Sequence, residues 1–428
     1  MSRLFFPQRL VLRIDGRGYS PTVLDRIVSA GVEHRSFETA ARMLKKLSRL
    51  SISAMHVRRI TLQIGDELHL QQDEQTQRHR HRDLPSEALQ PVEIACVEAD
   101  GGRINTRDGE AGRGVHSAQW KEDKVAALWR MTGPEFSIDP HPHLPRCFAD
   151  RDHVTKLVRQ IHGTGCHDDE PDSASAVPEV PDEAPPDSTS PSPTWPPQRI
   201  FRTCIASLDD VYDFGPRVAA DAQRRGFYQA PRQVFIGDGG SSNWTIHKLH
   251  FPHFTPVLDF VHAVAYLHEA AGAVTNSGAA QWEQYVAWST ACWQGGVEEI
   301  LQELEGWQQK LGKLPDPAEE VKENDPHAVL HRVRTYLQNN RERMKYPSYR
   351  QTGLPITSAL VESCIKQFNW RVKSSDKFWA RTEGAEAILQ VRAAWLSDGE
   401  PLERFITSRP GNAFYHSRDR SPKTPVEN

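Results

Sequence analysis

Apolar positions along the chain recur first with a helical period, then alternate, then return to a helical period almost to the end. Pro21, followed by Thr22, Val23 and Leu24, opens a helix that Gly31 is expected to end. Ser36 can cap a second helix, in which Ala40, Ala41, Leu44 and Leu47 share one face. A polar break at 48–51 precedes a third helix over 52–68, with Met55, Val57 and Ile60 available for packing. From Val92 the period becomes two: residues 92–99 predict a strand that ends in a turn at Asp100, Gly101 and Gly102. Residues 103–107 and 124–131 offer two more strands. A helix over 208–225 leads to a short buried strand at 233–236, then a helix near 242–250 and a strand at 256–259. From Val261 the pattern is helical, with breaks at 315–317 and 346–355.

Between the stranded stretches lies a segment with no periodic apolar face. Residues 166–199 hold nine prolines in 34 positions, filled out with Ser, Asp and Glu. Such a segment cannot bury enough apolar surface to offset its ordering entropy, so it is read as a disordered insertion within one folded domain. Residues 167–197 are accordingly expected to be dispensable for folding.

Charge sharpens this division. The net charge is −4, but residues 3–59 carry twelve Lys/Arg against four Asp/Glu, and residues 341–428 carry fifteen against ten. Residues 160–198 contain eight acids and no Lys or Arg. Basic ends around an acidic middle suggest polyanion binding by the ends. With 38% apolar residues, no run approaches the ~18 that a membrane span needs. The first residues are broken by Pro7 and Arg9 too early for a secretory signal. Six dispersed cysteines without a CxxC pair exclude a disulfide scaffold and imply a reducing, cytoplasmic compartment.

Helix, polar turn, then a helix carrying His56, Arg58 and Arg59 is the layout of a helix-turn-helix, with a plain three-helix bundle as the alternative. Asp100 and Asp238 each follow an apolar strand and precede two small residues, which would expose both carboxylates at strand ends. Glu362 stands where a later helix begins. Three converging carboxylates can hold two Mg²⁺ ions about 3.5–4 Å apart, a pair that activates a water or a 3′-hydroxyl for attack on a phosphodiester. The residues alone do not single out these three. His141, His143, Cys147, His153, His162, Cys166 and His167 crowd one region, but their spacing fits no closed zinc site, and they are read as an irregular polar loop. His247, His250 and His253 are read as packing or surface residues.

Blocks along the chain resemble the DDE transposases of bacterial insertion sequences, specifically the Kra group, which is distantly Mutator-like. The blocks fall at 97–103, 120–125, 236–239, 258–263, 361–363, 371–374 with Trp379, and 383–389. The resemblance implies an α/β fold with an RNase H-like catalytic core, an all-α insertion and an N-terminal helical, helix-turn-helix-like DNA-binding domain. It implies a DNA-binding domain over 1–90, core segments at 91–165, 200–266 and 347–408, a helical insertion at 267–346 and a disordered tail at 409–428. Asp100, Asp238 and Glu362 are the implied Mg²⁺ ligands, with Mn²⁺ able to substitute. Asp259 and His262 match the family's Asp/Cys-x-x-His element, which implies a place for His262 near the reacting groups. Trp282, Trp288, Trp293 and Trp307 in the insertion are read as packing residues rather than base-stacking platforms.

Lys366, Arg371, Lys373 and Lys377 follow Glu362 closely and are read as phosphate contacts. The neighbours Glu98 and Asp123 are not assigned to the metal by the family pattern, so they are expected to tolerate change. The implied activity is metal-dependent cleavage at transposon ends and strand transfer into target DNA. The partners would be double-stranded inverted-repeat ends and target DNA, and a second copy of the chain when the ends are synapsed. The setting would be the bacterial nucleoid. The alternatives are a domesticated, catalytically silent DNA-binding protein and an RNase H-like nuclease.

Overall fold

The structure, a computed structural model, describes residues 19–88, 90–106, 119–161, 195–312, 324–373 and 379–408; for residues 119, 359, 360 and 362 it describes the backbone alone. Three serines begin the three N-terminal helices. Ser20 caps α1 (Pro21–Glu33), Ser36 caps α2 (Phe37–Ser48) and Ser53 caps α3 (Ala54–Arg80), each accepting from a backbone N–H three residues on. α1 runs through Gly31 rather than ending there. That glycine lets α3 approach closely, since a Cβ would meet Thr61 Oγ1 at 2.2 Å.

α3 also continues well past residue 68. Its second half has few apolar residues and is held by polar contacts instead. Arg217 reaches Asp73 at 2.7 Å, and Arg224 reaches Gln75 at 2.8 Å. An apolar-period signal cannot see such contacts.

Five strands form one sheet in the order β3-β2-β1-β4-β5: β1 (Ile94–Thr106), β2 (Gln119–Thr132), β3 (Gln198–Ser207), β4 (Arg232–Gly237) and β5 (Thr255–Leu258). β1–β2 and β2–β3 are antiparallel, and β1–β4 and β4–β5 are parallel. The predicted turn at 100–102 is absent. β1 runs straight through Asp100, Gly101 and Gly102, paired with β2 in unbroken register from Ile94↔Met131 to Thr106↔Gln119. Gly102 lies opposite Asp123 and is small because a Cβ there would meet the Asp123 carboxylate at 2.8 Å. These glycines serve close approach, not reversal.

Alternation sorts the strands onto two faces. Ala95, Val97, Ala99 and Phe235 pack against α5 (Val211–Arg224) and α6 (Ser241–His250). The other face carries Ile94, Cys96, Val234 and Ile236 and packs against the remaining helices. Those helices are α4 (Arg151–Ile161), α7 (Phe260–Val274), α8 (Gly278–Trp293), α9 (Val297–Leu311), α10 (Pro326–Asn340), the short α11 (Tyr346–Gln351), α12 (Ala359–Val372) and α13 (Thr382–Leu396). A last helix, α14 (Pro401–Ser408), completes the chain order.

α11 forms inside the break expected at 346–355, where its tyrosines are buried. The break at 315–317 lies outside the described residues. α7 starts directly after β5, at Phe260. Trp288 and Trp293 are buried, while Trp282 and Trp307 pack partly against the same core.

Two expected boundaries move. Ile27, Val28, Ile60 and Ile64 share one core with Val391, Leu402, Phe405 and Ile406, so the described residues 19–88 do not close a core of their own. The acidic insertion also ends earlier than expected. Trp195 is 6% exposed and stands edge-on to Trp293, ring centroids 6.0 Å apart. Deleting 167–197 is therefore expected to lower stability by about 3–5 kcal/mol, the range for losing a buried Trp. Deleting 167–192 should leave the thermal midpoint near that of the full chain, and thermal unfolding of the two deletions checks the boundary. Among the described residues no helix is long and apolar enough to cross a membrane.

Candidate active site

β1 outruns its parallel neighbour, and that mismatch creates the site. β1–β4 pairing ends at Glu98↔Ile236, β4 ends at Gly237, and two residues beyond the last pair stand Asp100 and Asp238. They are neighbours at the edge of a cleft of about 770 Å³ whose walls include Asn243, Asn369, Lys124 and Lys373. Burial, then the charge of Asp238, pushes the Asp100 carboxyl up to about 6, while the Gly101 amide and His262 pull it back. Asp100 Oδ1 accepts from Gly101 N at 2.7 Å.

Asp238 is held from three directions. Its Oδ1 accepts from Gly240 N and from Asn243 Nδ2, both at 2.8 Å. Its carbonyl accepts from Tyr336 Oη at 2.6 Å, and Tyr336 is stacked on Tyr266 with centroids 3.8 Å apart. α10 and α7 thus buttress the site. Gly239, at φ +100°, lies against the Tyr336 ring, where an added Cβ would sit 2.4 Å from a ring carbon. Gly239→Ala combines a strained backbone with that clash. It is expected to cost about 1–3 kcal/mol of stability and to displace Asp238, which thermal unfolding together with Mn²⁺ titration measures.

Asp259 is fully buried and caps α7, accepting from Val261 N and His262 N, each at 3.2 Å. His262 Nδ1 lies 2.5 Å from Asp259 Oδ2, and Asp259 Oδ1 accepts from Ser358 N at 2.9 Å. Burial pushes the Asp259 carboxyl up, but the His262 hydrogen bond and charge and the Ser358 amide outweigh it and hold the group below its ordinary range. The two residues that match the family element are therefore joined, and the charge of His262 pulls the Asp100 carboxyl down.

Glu362 lies in the first turn of α12; its side chain lies outside the described atoms. Among the described residues no three His, Cys, Asp or Glu side chains are grouped to hold a metal. Asp100 and Asp238 suit a divalent cation by their chemistry. Both are hard oxygen donors at a cleft, and each uses only Oδ1 in its hydrogen bonds to Gly101, Gly240 and Asn243.

The expected phosphate contacts divide. Lys373 is exposed and lines the cleft, and Lys366 is exposed on α12. Lys377 lies outside the described residues. Arg371 is not a DNA-facing residue: it is 2% exposed, donates Nε to Gly31 O at 3.0 Å and lies over the Phe37 ring at 4.5 Å. It falls on the α12 stripe of Cys364 and Phe368, which points into the core. Arg58 and Arg59 are exposed at the start of α3, beside a groove that Met55 and Leu62 also line.

Glu98 and Asp123 are not inert surface neighbours. Glu98 is fully buried, and burial raises its carboxyl well above the usual range. Asp123 is also buried; burial raises it to about 6 against the pull of its own backbone N–H and the charge of Lys373. The alternation that places Asp100 inward also places Glu98 inward, so the signal was present in the sequence. Tyr336 has no such signal.

His141, His143, Cys147 and His153 lie in the segment before and within α4, where His141 Nδ1 contacts His143 O at 2.9 Å. His162, Cys166 and His167 lie outside the described residues. His247 Nε2 pairs with Phe254 O at 2.9 Å, a packing role; His250 packs against Gly215, and His253 stands in the turn after α6. No protein-family model and no curated protein matches this chain.

Proposed function

We propose that the chain is a transposase of the DDE kind, cutting DNA at the ends of a mobile element and joining those ends to a target. The observation that carries the reading is the juxtaposition of the Asp100 and Asp238 carboxylates in one cleft, where β1 passes the end of β4. The five-stranded mixed sheet, in the order β3-β2-β1-β4-β5, is compatible with the α/β core that the resemblance implies. The helical insertion after β5, and the start of α12 at residue 359, agree with the order of blocks in the sequence.

Asp100, Asp238 and Glu362 would hold Mg²⁺ or Mn²⁺. When bound, the ions supply an activated water or 3′-hydroxyl and neutralise charge at the scissile phosphate. The chain's own residues do the rest. The Gly240 amide and the Asn243 amide fix the Asp238 carboxylate, and Asp259 fixes the ring of His262 through Nδ1. The Lys373 ammonium at the cleft mouth can neutralise a phosphate of the bound strand. The partner is double-stranded DNA, and two ends held together call for two copies of the chain.

Arg58 and Arg59 would meet the backbone of the end sequence. Replacing both with Ala is expected to weaken DNA binding and to reduce the slope of log affinity against log salt by about 0.9 for each phosphate left without its arginine. A salt titration of the full chain on end DNA measures both. The deciding experiment incubates the full chain with terminal inverted repeats from the flanking DNA and Mg²⁺ or Mn²⁺. Cleavage at the element boundary supports the reading. Cutting confined to RNA–DNA hybrids would turn it to a nuclease, and binding without cutting to a silent DNA-binding protein.

A further inference from the structure

We propose that Glu98 is a positioning residue for the carboxylate cluster: it fixes the first turn of α12, and with it the backbone of Glu362, against the strand that carries Asp100. The inference rests on reading Asp100, Asp238 and Glu362 as one site.

A helix leaves its first N–H groups without intrahelical partners. α12 supplies no cap of its own, because Ser358 at its N-cap position makes no side-chain capping bond. Two buried carboxylates outside the helix take that role. Asp259 accepts from Ser358 N, and Glu98 Oε2 accepts from Val361 N at 3.0 Å. The same Glu98 oxygen accepts from Trp129 Nε1 at 2.9 Å.

One buried oxygen therefore joins β1, β2 and α12. It does so at the residue before Glu362 and two residues before Asp100 along β1. Glu98, Trp129 and Val361 are all buried, so loss of this acceptor would strand two buried donors, the Trp129 indole and the Val361 amide. Asp259 performs a parallel task from the β5 side but is shared with His262. Glu98 bonds to Cys96, Trp129 and Val361, structural groups of β1, β2 and α12, so its influence on the site runs through the backbone of α12.

The test compares full-length wild type, Glu98→Gln and Glu98→Ala. Each is titrated calorimetrically with Mn²⁺ alone, and hydrogen exchange is followed at the amides of 358–363. Gln retains a carbonyl acceptor, so Glu98→Gln is expected to bind Mn²⁺ within about threefold of wild type, while Glu98→Ala loses about 10–100-fold, the range for groups that orient metal ligands. Exchange at Val361 should speed in Glu98→Ala, with β4 and α7 unchanged. Wild-type affinity in Glu98→Ala, or equal loss in Glu98→Gln, overturns the proposal.

If Glu98→Ala does not fold, the wild type decides. Protection of the Val361 amide at the level of β1 supports the anchor, and exchange as fast as an open first-turn amide overturns it. A wild type that takes up no Mn²⁺ refutes the metal-site reading instead, and the exchange comparison still tests the anchor.

Discussion

Asp100→Asn and Asp238→Asn are each expected to abolish strand cleavage while leaving DNA binding nearly intact, and Glu362→Gln should behave alike. Each change keeps the shape of the side chain and removes one negative charge from a site that must hold divalent cations against their hydration. Losing a metal ligand should raise the barrier by several kcal/mol, and each ~1.4 kcal/mol is tenfold in rate. DNA affinity should persist, because it rests on basic residues elsewhere and the cleft becomes less repulsive to phosphate. A cleavage rate above about a tenth of wild type in any one variant would remove that residue from the set.

Asp100 adds a pH signature. With its carboxyl pushed up to about 6, protons compete with metal, and Mg²⁺-supported cleavage should fall as pH drops through 6. Stability should move the other way. A carboxyl raised in the folded state favours folding below its unfolded value of 3.8 and loses that contribution as pH rises through 6. At neutral pH the ionised group is therefore a burden, and Asp100→Asn should raise the melting temperature even as it removes activity. Opposite changes in stability and turnover would not arise from a variant that merely damages the fold.

Local signals in the sequence carried the elements well where one face was apolar. The Ser36 cap, the buried strand at 233–236 and the helical run after Val261 follow from period and capping alone, whereas the caps at Ser20 and Ser53 are not singled out. The readings failed where glycine or charge served a tertiary purpose. Gly31 and the glycines after Asp100 look like stops in one dimension, yet each makes room for a neighbouring element. The far half of α3 carries almost no apolar stripe because its partners are Arg217 and Arg224. A proline-rich composition hid Trp195, a single residue whose burial depends on Trp293 nearly a hundred positions away.

The site divides in the same way. Asp259 and His262 are picked out only by the family element they match; that they touch follows from Asp259 capping α7, with His262 three residues on. Tyr336 comes from a helix with no sequence relation to Asp238, and only the folded chain brings it there.

Arg371→Ala is expected to destabilise the protein by about 2–4 kcal/mol, as for other buried, hydrogen-bonded charges. The contrast with its neighbour Lys373 makes the measurement decisive. Read as a run, both are basic residues near a cleft; in the fold, Lys373 is exposed and Arg371 is locked between α12 and α1. Its guanidinium donates to Gly31 O and lies over Phe37, with Trp379 at 5.7 Å on another side. Removing it leaves the Gly31 carbonyl without that donor and opens a void between the N-terminal helices and α12. Arg371→Lys should recover little, because an ammonium neither matches the Nε direction nor packs flat on a ring. Lys373→Ala should leave the thermal midpoint within about 1 °C of wild type, since an exposed substitution stays within about 0.5 kcal/mol. It should instead lower DNA affinity, more at low salt than at high. Thermal unfolding and salt titration of the two variants separate the roles: loss of DNA affinity at full stability in Arg371→Ala would return that residue to the DNA surface.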